Sequence, residues 1–354
     1  MTTVMGVVGA GGISRFHLRA YAELGTPVRI VSDLRAENAA TAAAPFGAEC
    51  ATDWRDVVRC PDVTVVGVFT PTETHYEIVK DALENGKHVI CEKTLTLQAE
   101  QSLELGRLAA QNGLCLYTNY MKRFFPAVRK AAEWMPRLGH VMSVYGRTYQ
   151  GVGANFHTGP VSDFFSTGPD GASPVMRMAG GGILVCGGSH MFDLLLHLVG
   201  KPTRVTARSF RRDDVSDVDF MTHAMLDLPG GGVVHFEANW HPLRNVGFER
   251  RGWDEGFEIS GVDGRLVLQT PVWDQPECNA AQLHVYDNHA GTWTRYELPI
   301  VNPFLKAEKH YLAQIARGEQ GSQDAFTGYR VDELLESTAR SAAEGRPVEI
   351  EWKT

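Results

Sequence analysis

Val4-Met5-Gly6-Val7-Val8-Gly9-Ala10-Gly11-Gly12-Ile13-Ser14 opens the chain and decides how the rest is read. Val4 to Val8 is a short apolar run suited to a buried strand, and helical spacing of apolar residues begins at Ile13 and runs to Leu24. Gly9, Gly11 and Gly12 lie between the two. Glycines at such a junction let the chain turn tightly and let its backbone approach a pyrophosphate. The first helical turn then offers N–H donors and the positive end of its dipole. Ser14 stands where the pattern usually has its last glycine or alanine. The glycines alone are a weak signal, and their place between a strand and a helix makes them a specific one.

Moving outward, Val28–Ser32, Val63–Phe69, Val89–Glu92 and Leu114–Thr118 read as further strands. Ala36–Ala44, Thr74–Asn85 and Leu97–Gln111 read as helices between them. Strands separated by helices predict a parallel α/β sheet covered on both faces, the Rossmann arrangement. Asp33 ends the second strand, 24 residues after Gly9. An acidic residue that bonds the ribose is expected roughly 20 residues on. A carboxylate there accepts from ribose hydroxyls and repels a 2′-phosphate, which favours NAD, while Arg35 keeps NADP open. The ordinary alternative for Asp33 is a helix cap or a solvated loop aspartate.

The second half has another rhythm. Residues 151–182 are rich in Gly, Pro, Ser and Asp and read as loops, followed by one helix over Ile183–Val199. The period then drops to two: Val234, Phe236, Ala238 and Trp240 alternate with Val233, His235, Glu237 and Asn239. Pro229-Gly230-Gly231-Gly232 before them predicts a hairpin. More strand-like runs reach Leu298, and Phe304–Arg317 and Tyr329–Glu344 return to helix. The expected division is a dinucleotide-binding domain over 1–122 and an α+β domain over 123–354 with a large, open, mostly antiparallel sheet. The two C-terminal helices are candidates to pack back on the first domain.

A chain of 354 residues with 44% hydrophobic content has room for about two domains. Its net charge of -8, from 34 Lys plus Arg against 42 Asp plus Glu, does not advertise nucleic-acid binding. No run approaches the ~18 consecutive apolar residues of a membrane span, and Met1 to Gly9 lacks the basic start of a signal peptide. Six cysteines (Cys50, Cys60, Cys91, Cys115, Cys186, Cys278) form no C-x-x-C pair. They fit a reducing, cytoplasmic setting better than a disulfide framework.

Several stretches then resemble one family. Thr70-Pro71-Thr72-Glu73-Thr74-His75 follows the third of these strands, and Ala82-Leu83-Glu84-Asn85-Gly86-Lys87-His88-Val89-Ile90-Cys91-Glu92-Lys93 comes next. Gly180-Gly181-Gly182 leads into Ile183-Leu184-Val185-Cys186-Gly187-Gly188-Ser189-His190-Met191-Phe192-Asp193. Glu258–Gly264 and Ser341–Val348 complete the set. In this order they resemble the Gfo/Idh/MocA family, named for glucose–fructose oxidoreductase, inositol dehydrogenase and a rhizopine-catabolism protein. The resemblance implies a Rossmann domain, a second domain with an open sheet, and a homodimer or homotetramer packed partly through that sheet. It implies substrates among sugars, cyclitols and related polyols. It also implies a cofactor lying along Gly9, Gly11, Gly12, Ile13, Thr70, Pro71, His75, Glu92 and Lys93, and it requires no metal.

Oxidising a secondary alcohol needs a group to take the hydroxyl proton and a donor to steady the developing oxygen charge. Lys93, just past a strand end on the ligand edge of a parallel sheet, is the candidate to hold the substrate oxygen. His190 is the candidate general acid/base, since imidazole titrates near neutrality. Cys186, His190, Asp193 and His197 recur at spacings of four, three and four, which places them on one helix face. The plain alternatives are a surface lysine and a polar stripe satisfied within the domain; a metal held by His190, Asp193 and His197 is a remoter one. Two positions depart from the family. Thr94 replaces the proline after the lysine, and Cys186 replaces an aspartate four residues before the histidine. Asp163 and Asp170 are candidates to supply the missing carboxylate. Asn155, His157, Cys186, Arg177, Trp240 and His241 are candidates to meet a polyol. His235 and Glu237 are expected to face solvent or a partner. Asn119, Lys122 and Arg123 are weaker candidates on the nicotinamide side, and His17 reads as helix packing near the cofactor. Two other functions stay open: redox-neutral glycoside cleavage or isomerisation with tightly held NAD, and non-catalytic dinucleotide sensing.

Overall fold

Strand β1 (Met5–Val8) is buried at every position and lies within a six-stranded parallel sheet. The computed structural model describes residues 3–151, 162–243, 246–247, 253–272, 274 and 280–354. Beside β1 lie β2 (Val28–Ser32) and β3 (Glu49–Ala51) on one side, and β4 (Val65–Val68), β5 (His88–Cys91) and β6 (Leu116–Thr118) on the other. The order is β3-β2-β1-β4-β5-β6, and every paired neighbour runs parallel. Parallel pairing requires crossovers, supplied by α1 (Ser14–Leu24), α2 (Ala36–Ala43), α3 (Trp54–Arg59), α4 (His75–Glu84) and α5 (Ala99–Gln111). Val66, Val68, Val89 and Leu116 from the sheet pack with Ile78, Val79, Leu83 and Leu105 from the helices in one buried cluster. The strand order reverses between β1 and β4, which opens a crevice outside their carboxyl ends.

This unit comprises residues 1–121, 304–332 and 354. The sequence division put 304–332 in the second domain, with the closing helices as candidates to pack back on the first, and residues 304–332 cluster with this unit. Tyr329 is fully buried against Ala99 and Leu103 of α5, and Gln323 Nε2 donates to the Thr118 carbonyl at 2.7 Å. The helix Pro303–Arg317 brings Glu308 into the same interior.

The second unit comprises residues 122–303 and 333–353. After α6 (Pro126–Trp134), a nine-stranded sheet is built from β7 (Val141–Gly151), β8 (Arg204–Arg211), β9 (Asp219–Asp227), β10 (Val233–His241), β11 (Trp253–Gly261), β12 (Gly264–Thr270), β13 (Gln282–Asp287), β14 (Thr292–Tyr296) and β15 (Val348–Glu349). Its order is β14-β13-β12-β11-β7-β10-β9-β8-β15, with β7 and β10 parallel and the other pairs antiparallel. Alternation sets its two faces. Val144, Leu226, Val234, Ile259 and Leu266 are buried, while the residues next to them in register, Tyr145, Met225 and His235, are exposed.

The helix expected over Ile183–Val199 has two parts, a π-helical segment Leu184–Gly188 and α8 (Ser189–Leu198), preceded by α7 (Pro174–Ala179). Mean hydropathy makes Pro174–Leu198 long and apolar enough to cross a membrane, but 78% of its most apolar window is buried. That corrects the reading that no run comes near a span and makes the stretch core.

Candidate active site

The glycine loop is held by its neighbours and open above them. Gly9 has φ +94, and a Cβ there would meet the Phe69 carbonyl oxygen at 2.7 Å and Thr70 Cγ2 at 2.9 Å. Only glycine permits that approach of the β1 loop to the β4 loop. A Cβ on Gly11 or Gly12 would meet nothing within 4 Å, so an open cradle sits over the start of α1. Ile13 is the helix N-cap residue, and Ser14, buried, donates from Oγ to the Gly11 carbonyl at 2.6 Å. A cleft of ≈ 400 Å³ continues from Ala10, Gly11 and Ser14 towards Asn38 and Thr41.

Asp33 ties the cradle to α2. Its Oδ2 accepts from the Ala10 N–H at 2.9 Å. Its Oδ1 accepts from the Arg35 N–H at 2.9 Å and from Asn38 Nδ2 at 3.2 Å. The carboxylate is fixed beside the loop, half-buried, with lone pairs left for a diol. Asn38 escaped the sequence reading because a lone asparagine on a helix carries no signal of its own. Open glycines, a helix N-terminus and an anchored carboxylate fit a dinucleotide.

At the carboxyl end of β5, Glu92 is buried and Lys93 is half-buried. Glu92 Oε1 accepts from Asn119 Nδ2 at 2.7 Å and from His17 Nε2 at 3.0 Å, and Glu92 Oε2 accepts from the Lys93 N–H at 3.1 Å. The other face of His17, Nδ1, lies 2.6 Å from Glu308 Oε1. Burial alone would lower the imidazole pKa, but hydrogen bonds to Glu308 and Glu92 hold it up to about 9. Burial also works against the charge on Glu92, yet His17 and then Asn119 keep its carboxyl below the usual range. His17 is therefore more than the packing residue expected from sequence, although it does stack on Phe69 at 3.8 Å. Nearby, the His75 ring nitrogens lie 2.9 Å from the carbonyl oxygens of Thr70 and Thr94, and burial pushes its pKa down. His75 thus ties the Thr70-Pro71 run to the segment after Lys93. The Lys93–Thr94 peptide is cis.

In the second unit, Asp219 Oδ2 accepts from the Leu184 N–H at 3.0 Å and so fixes the start of the π segment. A Cβ on Gly187 would meet Gln150 Nε2 at 2.5 Å, so this glycine lets the segment lie close against β7. Such π-helical turns are frequent at functional sites. Cys186 lies within it, half-buried, and His190 follows in the first turn of α8 at 8% exposure. The face expected to join Cys186, His190, Asp193 and His197 divides. His197 is exposed, and Asp193 is fully buried and forked by Arg123. Arg123 Nε donates to Asp193 Oδ2 at 2.8 Å and Nη2 to Oδ1 at 2.6 Å.

The remaining candidates divide in the same way. Asp170 is exposed and paired with Arg177, and Asp163 is exposed, so Asp170 is spent elsewhere as a stand-in for the missing carboxylate. Lys122 is buried in an ion pair with Glu255, whose Oε1 also accepts from Thr148 Oγ1 at 2.6 Å. That takes Lys122 away from the role first given to it. Trp240 is buried and donates to Gln150 Oε1 at 2.9 Å, which introduces Gln150, missed in the sequence, next to the π segment. His241 is half-buried, His235 is exposed, and Glu237 accepts from Tyr149 Oη at 2.6 Å. Asn155 and His157 lie outside the described residues. Among the described residues, no group of three His, Cys, Asp or Glu side chains is arranged to hold a metal ion.

Known proteins supply an independent comparison. Residues 4–120 match the model of an oxidoreductase family with an NAD-binding Rossmann fold, and residues 137–267 match the GFO/IDH/MocA C-terminal domain. Levoglucosan dehydrogenase of Pseudarthrobacter phenanthrenivorans is 31% identical over 96% of each chain. An inositol 2-dehydrogenase of Klebsiella pneumoniae is 26% identical over 99% of this chain and 97% of its own. An NADP⁺-dependent scyllo-inositol 2-dehydrogenase of Bacillus subtilis is 26% identical over 86% of this chain and 84% of its own. The solved structure of a levoglucosan dehydrogenase with NADH and levoglucosan superposes with a TM-score of 0.83 at 24% identity, covering 99% of this chain and 100% of the other, and it shares the fold.

Proposed function

The chain belongs to the GFO/IDH/MocA oxidoreductase family, and from that premise we infer that it is an NAD(P)-dependent dehydrogenase acting on a secondary hydroxyl of a sugar, cyclitol or related polyol. The observation that carries this reading is the arrangement at the carboxyl edge of the first sheet. There Lys93 follows a carboxylate locked by His17 and Asn119, in the unit that also holds the glycine cradle and Asp33.

A bound nicotinamide supplies the hydride acceptor or donor. Gly11 and Gly12 leave room for its pyrophosphate, Asp33 offers its carboxylate to the ribose, and Thr70 and Pro71 flank the loop. The anchored Asp33 favours NAD over NADP, and exposed Arg35 is the side chain that would admit a 2′-phosphate. Lys93 holds the substrate oxygen by its ammonium and stabilises negative charge developing there. His190 takes the hydroxyl proton on oxidation and returns it on reduction. Cys186, four residues before His190, is a thiol where the family has a carboxylate, and a thiol orients an imidazole less well than a carboxylate does. Gln150 joins Trp240 among the candidate polyol contacts, since sugars present hydroxyls and apolar C–H faces together.

A cytoplasmic setting is supported by Cys50, Cys60, Cys91, Cys115 and Cys186, which form no disulfide among the described residues. A homodimer or homotetramer is supported by large apolar side chains on the outward face of the second sheet, among them Tyr145, Met225 and Trp293.

The test is a polyol and sugar panel with NAD and NADP, following both product and reduced cofactor. Net NADH with a ketone product supports the dehydrogenase reading. Product without net NADH points to the redox-neutral alternative, and cofactor binding with no turnover across the panel points to a sensor.

A further inference from the structure

His17 sits among groups that the reaction as described does not use. Its ring is fully buried, with Glu92 on Nε2 and Glu308 on Nδ1. A neutral imidazole carries one N–H and donates once. Two carboxylate oxygens at 3.0 Å and 2.6 Å require a hydrogen on each nitrogen, or a proton on one of the acids. Isolated buried charge is costly and buried charge persists when paired. Here the ammonium of Lys93 and the imidazolium of His17 stand against the carboxylates of Glu92 and Glu308, so the count balances. The groups facing the ring are Glu92 after β5, Glu308 on the helix Pro303–Arg317, Asn119 after β6, and the rings of Phe69 after β4 and Phe304. On its own helix Tyr21 is the titratable neighbour, and burial with the charge of Glu308 pushes its phenol pKa well up, keeping it neutral.

Glu92 connects this cluster to the chemistry. One of its oxygens is held by His17 and Asn119, and the other accepts the main-chain N–H of Lys93. We propose that His17, as an imidazolium seated between Glu308 and Glu92, is a positioning residue that fixes Glu92 and, through it, the backbone that presents Lys93 to the substrate. This rests on the assignment of Lys93 given above. With a neutral side chain at 17, Glu92 loses a charged donor. It then takes a proton or turns, and its bond to the Lys93 N–H loosens in either case.

The experiment has two arms on the full-length protein. In the first, ¹⁵N-histidine NMR of the cofactor-free protein, with His17→Gln used to assign the signal, reads the charge directly. Both ring nitrogens of His17 should stay protonated from about 6.5 up to about 9. A neutral tautomer in that window overturns the proposal. In the second, His17→Gln and Glu308→Gln should lower kcat by about 10- to 100-fold, the cost of a misplaced catalytic group. NADH affinity by fluorescence should remain near that of the parent. The His17→Gln rate should also gain a second acid limb, beyond the one set by the general base, as Glu92 takes up a proton. Should His17→Gln not accumulate as folded protein, Glu308→Gln carries this arm. Unchanged kcat and pH profile in these variants, with Lys93→Ala inactive, overturns the positioning role alone. Normal turnover by Lys93→Ala would instead remove the assignment of Lys93 and leave the charge on His17 to the NMR result.

Discussion

The two units treat their central histidines in opposite ways. His17 in the first is sealed between carboxylates from distant parts of the chain, and its pKa is held up to about 9. His190 in the second lies at 8% exposure, four residues after Cys186. Asp193 is on Arg123, and Asp219 is on the Leu184 amide. A histidine held between two anions is favoured in its charged form. Under the proposed roles, the contrast separates what holds Lys93 in place from what moves the proton.

The largest effect expected from breaking this division is in Lys93→Ala. It should lose roughly 10³-fold in kcat, as for removal of a donor to a developing oxyanion, while NADH affinity measured by fluorescence stays close to the parent. A stability measurement comes next. The pKa of His17 is raised in the folded state from 6.5 to about 9. Its contribution is therefore fully present below 6.5 and is lost as pH rises through about 9, amounting to about 3 kcal/mol. Urea unfolding across that window should show the loss, and His17→Gln should flatten it. His190→Asn should reduce kcat by about 10²-fold, the lower end for general acid–base catalysis. Asp33→Ser should weaken NADH binding by about tenfold, the worth of one charge-assisted hydrogen bond, and narrow the preference against NADPH. The smallest effect is in Cys186→Asp, which should keep or modestly raise activity and shift the acid limb of the pH–rate profile. A large loss there would show that the second site is built around the thiol.

Much of the first unit can be read from the sequence because its signals are local. Val28–Ser32 reads as a strand and is one, and the glycines and Asp33 fall within one strand–helix–strand unit. The edge strand Glu49–Ala51 gives no such signal, since its three residues are mostly exposed and show no apolar pattern. The helix Pro126–Trp134 and the eleven-residue strand Val141–Gly151 were also passed over in the sequence. That strand pairs in parallel with a partner some 90 residues away in sequence, and local spacing cannot reveal the pairing.

The site divides in the same manner. Lys93 and His190 are legible because each sits in a recognisable local pattern. The seat of His17 between two carboxylates is not, because its partner Glu308 lies 291 residues away on a helix whose return to the first unit depends on packing. The π segment Leu184–Gly188 looks like ordinary helix in sequence, and it needs Asp219 and the close approach to Gln150 to become visible.

The most direct test of cofactor binding at the glycine cradle is a fluorescence titration of the purified protein with NADH and with NADPH, after checking for dinucleotide carried through purification. Tight NADH binding with NADPH at least about tenfold weaker is the expected result. Binding of neither, with none carried through purification, would contradict it.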